Sequence, residues 1–158
     1  DFEVISLRAP GIHPSGQGRQ WYGLYPHDWK GAEAEVNKLL GTLKNFDTNQ
    51  ISLRKTILLG FSQGAAMAID AGFKLNLGLI VACSGYPHPT WVPGQKCPPL
   101  IISHGLFDEV VPIDASRIIY ESVKNKSSKL CEFSEFDGYH HIDSKLIDVI
   151  SSNMSGIF

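Results

Sequence analysis

The sequence predicts a single α/β domain over residues 1–158, with a mainly parallel sheet flanked by helices. Three observations carry this prediction. Short apolar runs rich in β-branched residues alternate along the chain with helical stretches that are apolar on one face. Two of the runs, 56–60 and 77–83, read as buried throughout, as parallel strands covered on both faces do. Turn and cap residues fall between runs and helices, where right-handed crossovers must begin.

Val4, Ile5 and Leu7 form a short β-rich run stopped by Pro10 and Gly11, the expected first strand. Residues 10–28 hold four glycines, three prolines and the aromatics Trp21, Tyr22 and Tyr25, a loop longer than compact domains usually carry. Asp28 is placed to cap a helix ending near Asn45, with Val36, Leu39, Leu40 and Leu43 on one face. After strand 56–60, a helix over 65–73 carries small residues that let it approach a sheet closely. Strand 77–83 leads into a second long, proline-rich loop over 84–98, with Tyr86, His88 and Trp91. Strand 100–104 precedes a helix opened by Pro112, with Ile118, Ile119 and Val123 on one face. Residues 129–136 alternate as an edge strand does. Asp143 then caps a last helix, with Leu146, Ile147 and Ile150 inward, ending before Gly156.

Composition narrows the function. Fourteen basic against sixteen acidic residues leave a net charge of −2, which gives no electrostatic reason to expect nucleic acid. No apolar stretch approaches the roughly 20 residues needed to span a bilayer. Three cysteines, Cys83, Cys97 and Cys131, match neither a disulfide framework nor paired zinc-ligand motifs, which favours a reducing, cytoplasmic setting. His13, His27 and His88 lack metal-ligand spacing, so neither a metal nor a cofactor is expected.

The chemistry lies at three strand ends. Gly60-Phe61-Ser62-Gln63-Gly64 fits GxSxG and sits between a buried strand and a small-residue helix, the setting of a nucleophile elbow. Asp108 follows the next strand but one, in the turn of HGLFDEVVP. His140 and His141 follow the last strand, in DGYHHI. Serine, acid and histidine in that order is the α/β-hydrolase arrangement. Neighbouring groups read as structural: Glu109 as solvent-facing, Asp114 as favouring a helix dipole, Asp137 as a turn former and His104 as hydrogen-bonded.

GFSQGA, HGLFDEVVP and the turn holding His140 and Ile142 resemble the signatures of the carboxylesterase, lysophospholipase and acyl-protein thioesterase family. That resemblance implies Ser62 as nucleophile, Asp108 as the acid that orients the base, His140 as the base and the Gln63 backbone N–H as an oxyanion donor. The spacing to Ile142 in the family's turn selects His140 over His141. Trp21, Tyr22 and Leu24 resemble the aromatic segment bordering the acyl site, and Tyr86 and Trp91 suit the opposite wall, although packing alone also explains such aromatics. The implied activity is hydrolysis of a small acyl ester or thioester.

The chain also departs from that pattern. Relatives begin with further strands and an LHGxG-type loop that supplies another oxyanion donor, and no such segment precedes Asp1. Losing one donor costs roughly 100 to 1,000-fold in rate. The strand before that loop lies between those at Val4 and Ile57, so the expected fold is an α/β-hydrolase domain truncated at its N-terminus. A longer chain, direct pairing of the two strands, or a homodimer that donates a strand would each close the gap. The alternative to an esterase is an impaired fragment that binds a ligand or partner without turnover.

Overall fold

Period-two alternation decides where the sheet sits. In the strand Leu79–Cys83, Leu79, Val81 and Cys83 point to one face and Ile80 and Ala82 to the other, and all five are buried. The computed structural model describes residues 3–48, 51–94, 97–126 and 130–154. Within them this strand is β4 of a four-stranded sheet ordered β3-β4-β5-β6, where β3 is Ile57–Phe61, β5 is Leu100–Gly105 and β6 is Cys131–Phe136. All three pairings are parallel, with Ile57 opposite Leu79, Ile80 opposite Leu100 and Leu100 opposite Cys131.

Helices cover both faces. In α1 (Trp29–Thr48), Asp28 caps the first turn by accepting the Gly31 N–H on Oδ1 at 2.8 Å. Val36, Leu39 and Leu43 pack on Met67 and Ala71 of α2 (Gln63–Gly72). Ala65, Ala68 and Ile69 of α2 join Ile119 and Val123 of α3 (Ile113–Lys124) over Ile80, Ala82 and Ile102. On the other face Leu146 and Ile150 of α4 (Leu146–Met154) pack on Leu79, Val81 and Ile101.

Three expectations fail for identifiable reasons. Residues 3–9 form no strand, and Val4 stands 83% exposed. A strand needs a ladder partner, and among the described residues β3 pairs only with β4, so no neighbouring strand receives this run. The chain instead forms a short antiparallel hairpin, β1 (Gly11–Ile12) with β2 (Arg19–Gln20). Arg19 donates to the carbonyls of Ala9 and Pro10 and so holds the preceding segment against it.

Ile118 faces solvent because the inner stripe of α3 runs through Ser116, Ile119 and Val123, and one residue off that stripe turns outward. Ile147 is exposed on the same logic, since Leu146 and Ile150 hold the inner face of α4 one turn apart. The expected element ends at Lys129 and before Gly156 lie outside the described residues.

Candidate active site

The turn from β3 to α2 is built around one residue in an unusual conformation. Ser62 has φ 54° and ψ −120°, a region that side chains rarely occupy, so the strand can reverse sharply into the helix with the serine at its apex. The Ser62 N–H donates to Cys83 O at 2.8 Å, and Ser62 O accepts the Ala65 and Ala66 N–H groups at 3.0 and 3.2 Å. Both ends of the reversal are therefore fixed.

Glycine is required at one flank of this turn only. A Cβ on Gly60 would lie 2.2 Å from Gly64 O, whereas one on Gly64 would meet only Trp21 Nε1, at 3.9 Å. Gly60→Ala is accordingly expected to destabilise the fold by about 3 kcal/mol. Gly64→Ala should shift stability by less than about 1 kcal/mol. Urea denaturation of the two variants checks the contrast.

The acid and the histidine meet because β5 and β6 end side by side. The Leu106 N–H donates to Phe136 O and the Phe107 N–H to Gly138 O, both at 2.9 Å. Gly105 permits this approach, since a Cβ there would lie 2.3 Å from Tyr139 O. Asp108, whose side chain is fully buried, accepts the His140 Nδ1–H on Oδ2 at 2.7 Å. Its Oδ1 accepts the Val110 and Val111 N–H groups at 2.9 and 2.8 Å.

Burial alone would raise the Asp108 pKa, but the bonds from His140, Val111 and Val110 outweigh it and hold the carboxyl below its usual range. The His140 ring lies 4.7 Å from that of Phe61, the residue before Ser62, so the pair stands beside the elbow. The His141 ring instead packs edge-on to Phe136 at 5.2 Å.

His104 is a structural histidine, as expected. It is fully buried, Nε2 donates to Val111 O at 2.8 Å and Nδ1 meets Ser116 Oγ at 2.7 Å. Its Nε2 also lies 3.2 Å from Asp108 Oδ2, so it supports the acid's loop from behind.

A second buried polar chain escaped sequence reasoning. Asp70 accepts from His88 Nδ1 at 2.8 Å and from Lys74 Nζ at 2.7 Å. His88 Nε2 then accepts from Tyr22 at 2.8 Å, and the hydroxyls of Tyr22 and Tyr86 meet at 2.7 Å. Burial pushes both phenols up, so each stays a hydrogen-bond donor. Burial opposes ionisation of Asp70, but His88 and Lys74 hold its carboxyl below the ordinary range.

Two depressed carboxylates have a common consequence. Asp70 and Asp108 are stabilised as anions when folded, so their contribution is complete above the unfolded value near about 4 and is lost as pH falls through the folded values. Stability in urea should fall steeply below about pH 4, and Asp70→Asn should flatten that fall.

The remaining candidate residues divide between two regions. Trp21 and Tyr22 lie against the elbow through Gln63, and partly buried Leu24 packs on the α1 cluster. Trp91 sits edge-on to Phe73 and lines a cavity of about 430 Å³ with Trp29, Asp70, Lys74 and His88, at the end of α2 away from Ser62. Among the described residues, no three His, Cys, Asp or Glu side chains are placed to hold a metal ion, and no helix is long and apolar enough to cross a membrane.

Comparison with known proteins bears on this geometry. Residues 1–155 match the Phospholipase/Carboxylesterase family. The chain belongs to that family. An Acyl-protein thioesterase 1 of Yarrowia lipolytica is 25% identical over 123 residues, covering 72% of this chain and 54% of the relative. The Acyl-protein thioesterase 1 homolog 2 of Dictyostelium discoideum is 25% identical over 143 residues, covering 82% and 64%. This phospholipase/carboxylesterase family member thus spans between half and two thirds of the length of those curated relatives. The crystal structure of esterase PE8 superposes with a TM-score of 0.78 at 26% identity, covering 96% of this chain and 76% of that one. The α/β-hydrolase fold is the one shared.

Proposed function

We propose that this protein is a serine hydrolase of carboxylic esters or thioesters, with Ser62 as nucleophile, His140 as general base and Asp108 as the group that orients it. The observation that supports this reading best is the 2.7 Å bond from His140 Nδ1 to a fully buried Asp108, beside a serine at the apex of a strand-to-helix reversal. With Nδ1 engaged, Nε2 is the nitrogen left to take the Ser62 proton.

Ser62 Oγ attacks the carbonyl carbon while its proton passes to His140. The resulting oxyanion accepts from the Gln63 N–H, which lies in the first turn of α2 where no preceding turn supplies an acceptor. His140 then protonates the departing alkoxide or thiolate. Water, deprotonated by the same imidazole, frees the acid and restores the hydroxyl. The names of the two curated relatives favour thioesters, and membership of the family favours oxygen esters equally. An odd count of three cysteines without disulfide spacing supports a reducing, cytoplasmic setting for this reading, and burial pushes the thiols of Cys83 and Cys131 up to about 12 and about 11, where they are poor nucleophiles.

The test is a panel of oxygen and sulfur esters of graded acyl length, assayed across pH. The expected result is turnover that declines in acid, because only the neutral imidazole can accept the Ser62 proton. Rates that stay flat from acid to neutral pH, or a wild type inert to every ester, would overturn the reading.

A further inference from the structure

The loop carrying Trp21 and Tyr22 is joined to the nucleophile turn by a side chain that stands next to the serine in sequence. Gln63 Oε1 accepts the Trp21 N–H at 2.7 Å, and Gln63 Nε2 donates to Tyr22 O at 2.9 Å. One amide group thus bridges the N–H of Trp21 and the carbonyl of Tyr22, across more than forty residues of sequence. The far end of Tyr22 is tied as well, through its hydroxyl to His88 and Tyr86, and the residue is 4% exposed. Between these anchors the Trp21 indole lies over the first turn of α2, with Nε1 3.9 Å from where a Cβ on Gly64 would stand.

We propose that the Gln63 side chain is a specificity-determining positioning group: by clamping the Trp21–Tyr22 backbone it seats the Trp21 indole beside Ser62 and so sets which acyl chains the site accepts. The proposal rests on Ser62 being the nucleophile. Its physical content is preorganisation. A wall held by two hydrogen bonds to the residue that also offers the oxyanion N–H cannot drift relative to the reacting carbon, and small displacements of positioning groups carry large kinetic penalties. The two amide roles are not interchangeable: one atom must accept and the other must donate.

That asymmetry supplies the test. The ratio of kcat/KM between the preferred acyl ester and one four carbons longer or shorter is measured at each pH, which cancels the titration of the general base common to both substrates. Gln63→Ala, folded as judged by its thermal transition, should reduce this ratio by roughly 10-fold or more. In Gln63→Glu the ionised carboxylate still accepts from Trp21 but sets an oxygen against Tyr22 O, whereas the protonated acid can donate there. Facing the Tyr22 carbonyl, this carboxyl is expected to ionise above the ordinary glutamate value of about 4.3, so selectivity should be relaxed at about pH 8 and move toward wild type at about pH 5, while the wild-type ratio stays level. A merely structural role would alter stability and leave the ratio in place. An active wild type whose ratio is unchanged in both variants would overturn the clamp alone. A wild type that turns over no ester would overturn the hydrolase reading and the clamp with it.

Discussion

Ser62→Ala is expected to lower kcat/KM on any ester or thioester the protein cleaves by on the order of 10⁶-fold, with the fold retained. The size follows from the role proposed for the hydroxyl, which is to form the covalent bond; neither His140 nor the Gln63 N–H can substitute for a missing attacking atom. What survives is the contribution of the oxyanion donor and of substrate positioning, which act on a water molecule in its place. The backbone should tolerate the change, because alanine meets the same steric conditions as serine at φ 54°, and Cys83 O still accepts the amide. A loss below about 100-fold with an intact circular dichroism spectrum would mean that another group attacks.

Asp108→Asn should lower kcat by about 10⁴-fold, through the tautomer of His140 and without loss of shape. The surrounding donors force this outcome. The Val110 and Val111 N–H groups both point at Oδ1, so the asparagine carbonyl must take that position and its NH₂ must face His140 Nδ1. Nδ1 can then only accept, the proton moves to Nε2, and the imidazole can no longer take the Ser62 proton. Nitrogen chemical shifts of His140 should report the exchange of tautomers alongside the kinetic loss. Full activity in the variant would show that the 2.7 Å contact is not what orients the base.

The placement of the candidate site residues at strand ends was more legible in the sequence than their surroundings were. Ser62, Asp108 and His140 each follow a strand, and parallel strands deliver their C-terminal ends to one edge of the sheet, so three distant motifs converge without any contact being known. The geometry also separates His140, on Asp108, from His141, on Phe136. What failed depended on partners. Val4, Ile5 and Leu7 have strand-like composition, but pairing is a property of the neighbouring strand, and none lies beside them among the described residues. Ile118 and Ile147 are apolar in helices whose inner stripes were already filled by residues one position away.

Asp70 and His88 lie 18 residues apart on a helix and a loop, with no motif to join them, and only the tertiary fold makes the bond. The Gln63 backbone N–H was expected as an oxyanion donor through the family resemblance of GFSQGA. The reach of its side chain to Trp21 and Tyr22 depends on where a long loop folds back, which no local pattern records.

The most direct test of an activated Ser62 is intact-mass analysis of the protein before and after a fluorophosphonate probe, with Ser62→Ala and Asp108→Asn alongside. One stoichiometric phosphonyl adduct is expected on the wild type, none on Ser62→Ala, and labelling on Asp108→Asn slowed in step with its kcat. An unmodified wild type, or an adduct that persists in Ser62→Ala, would contradict it.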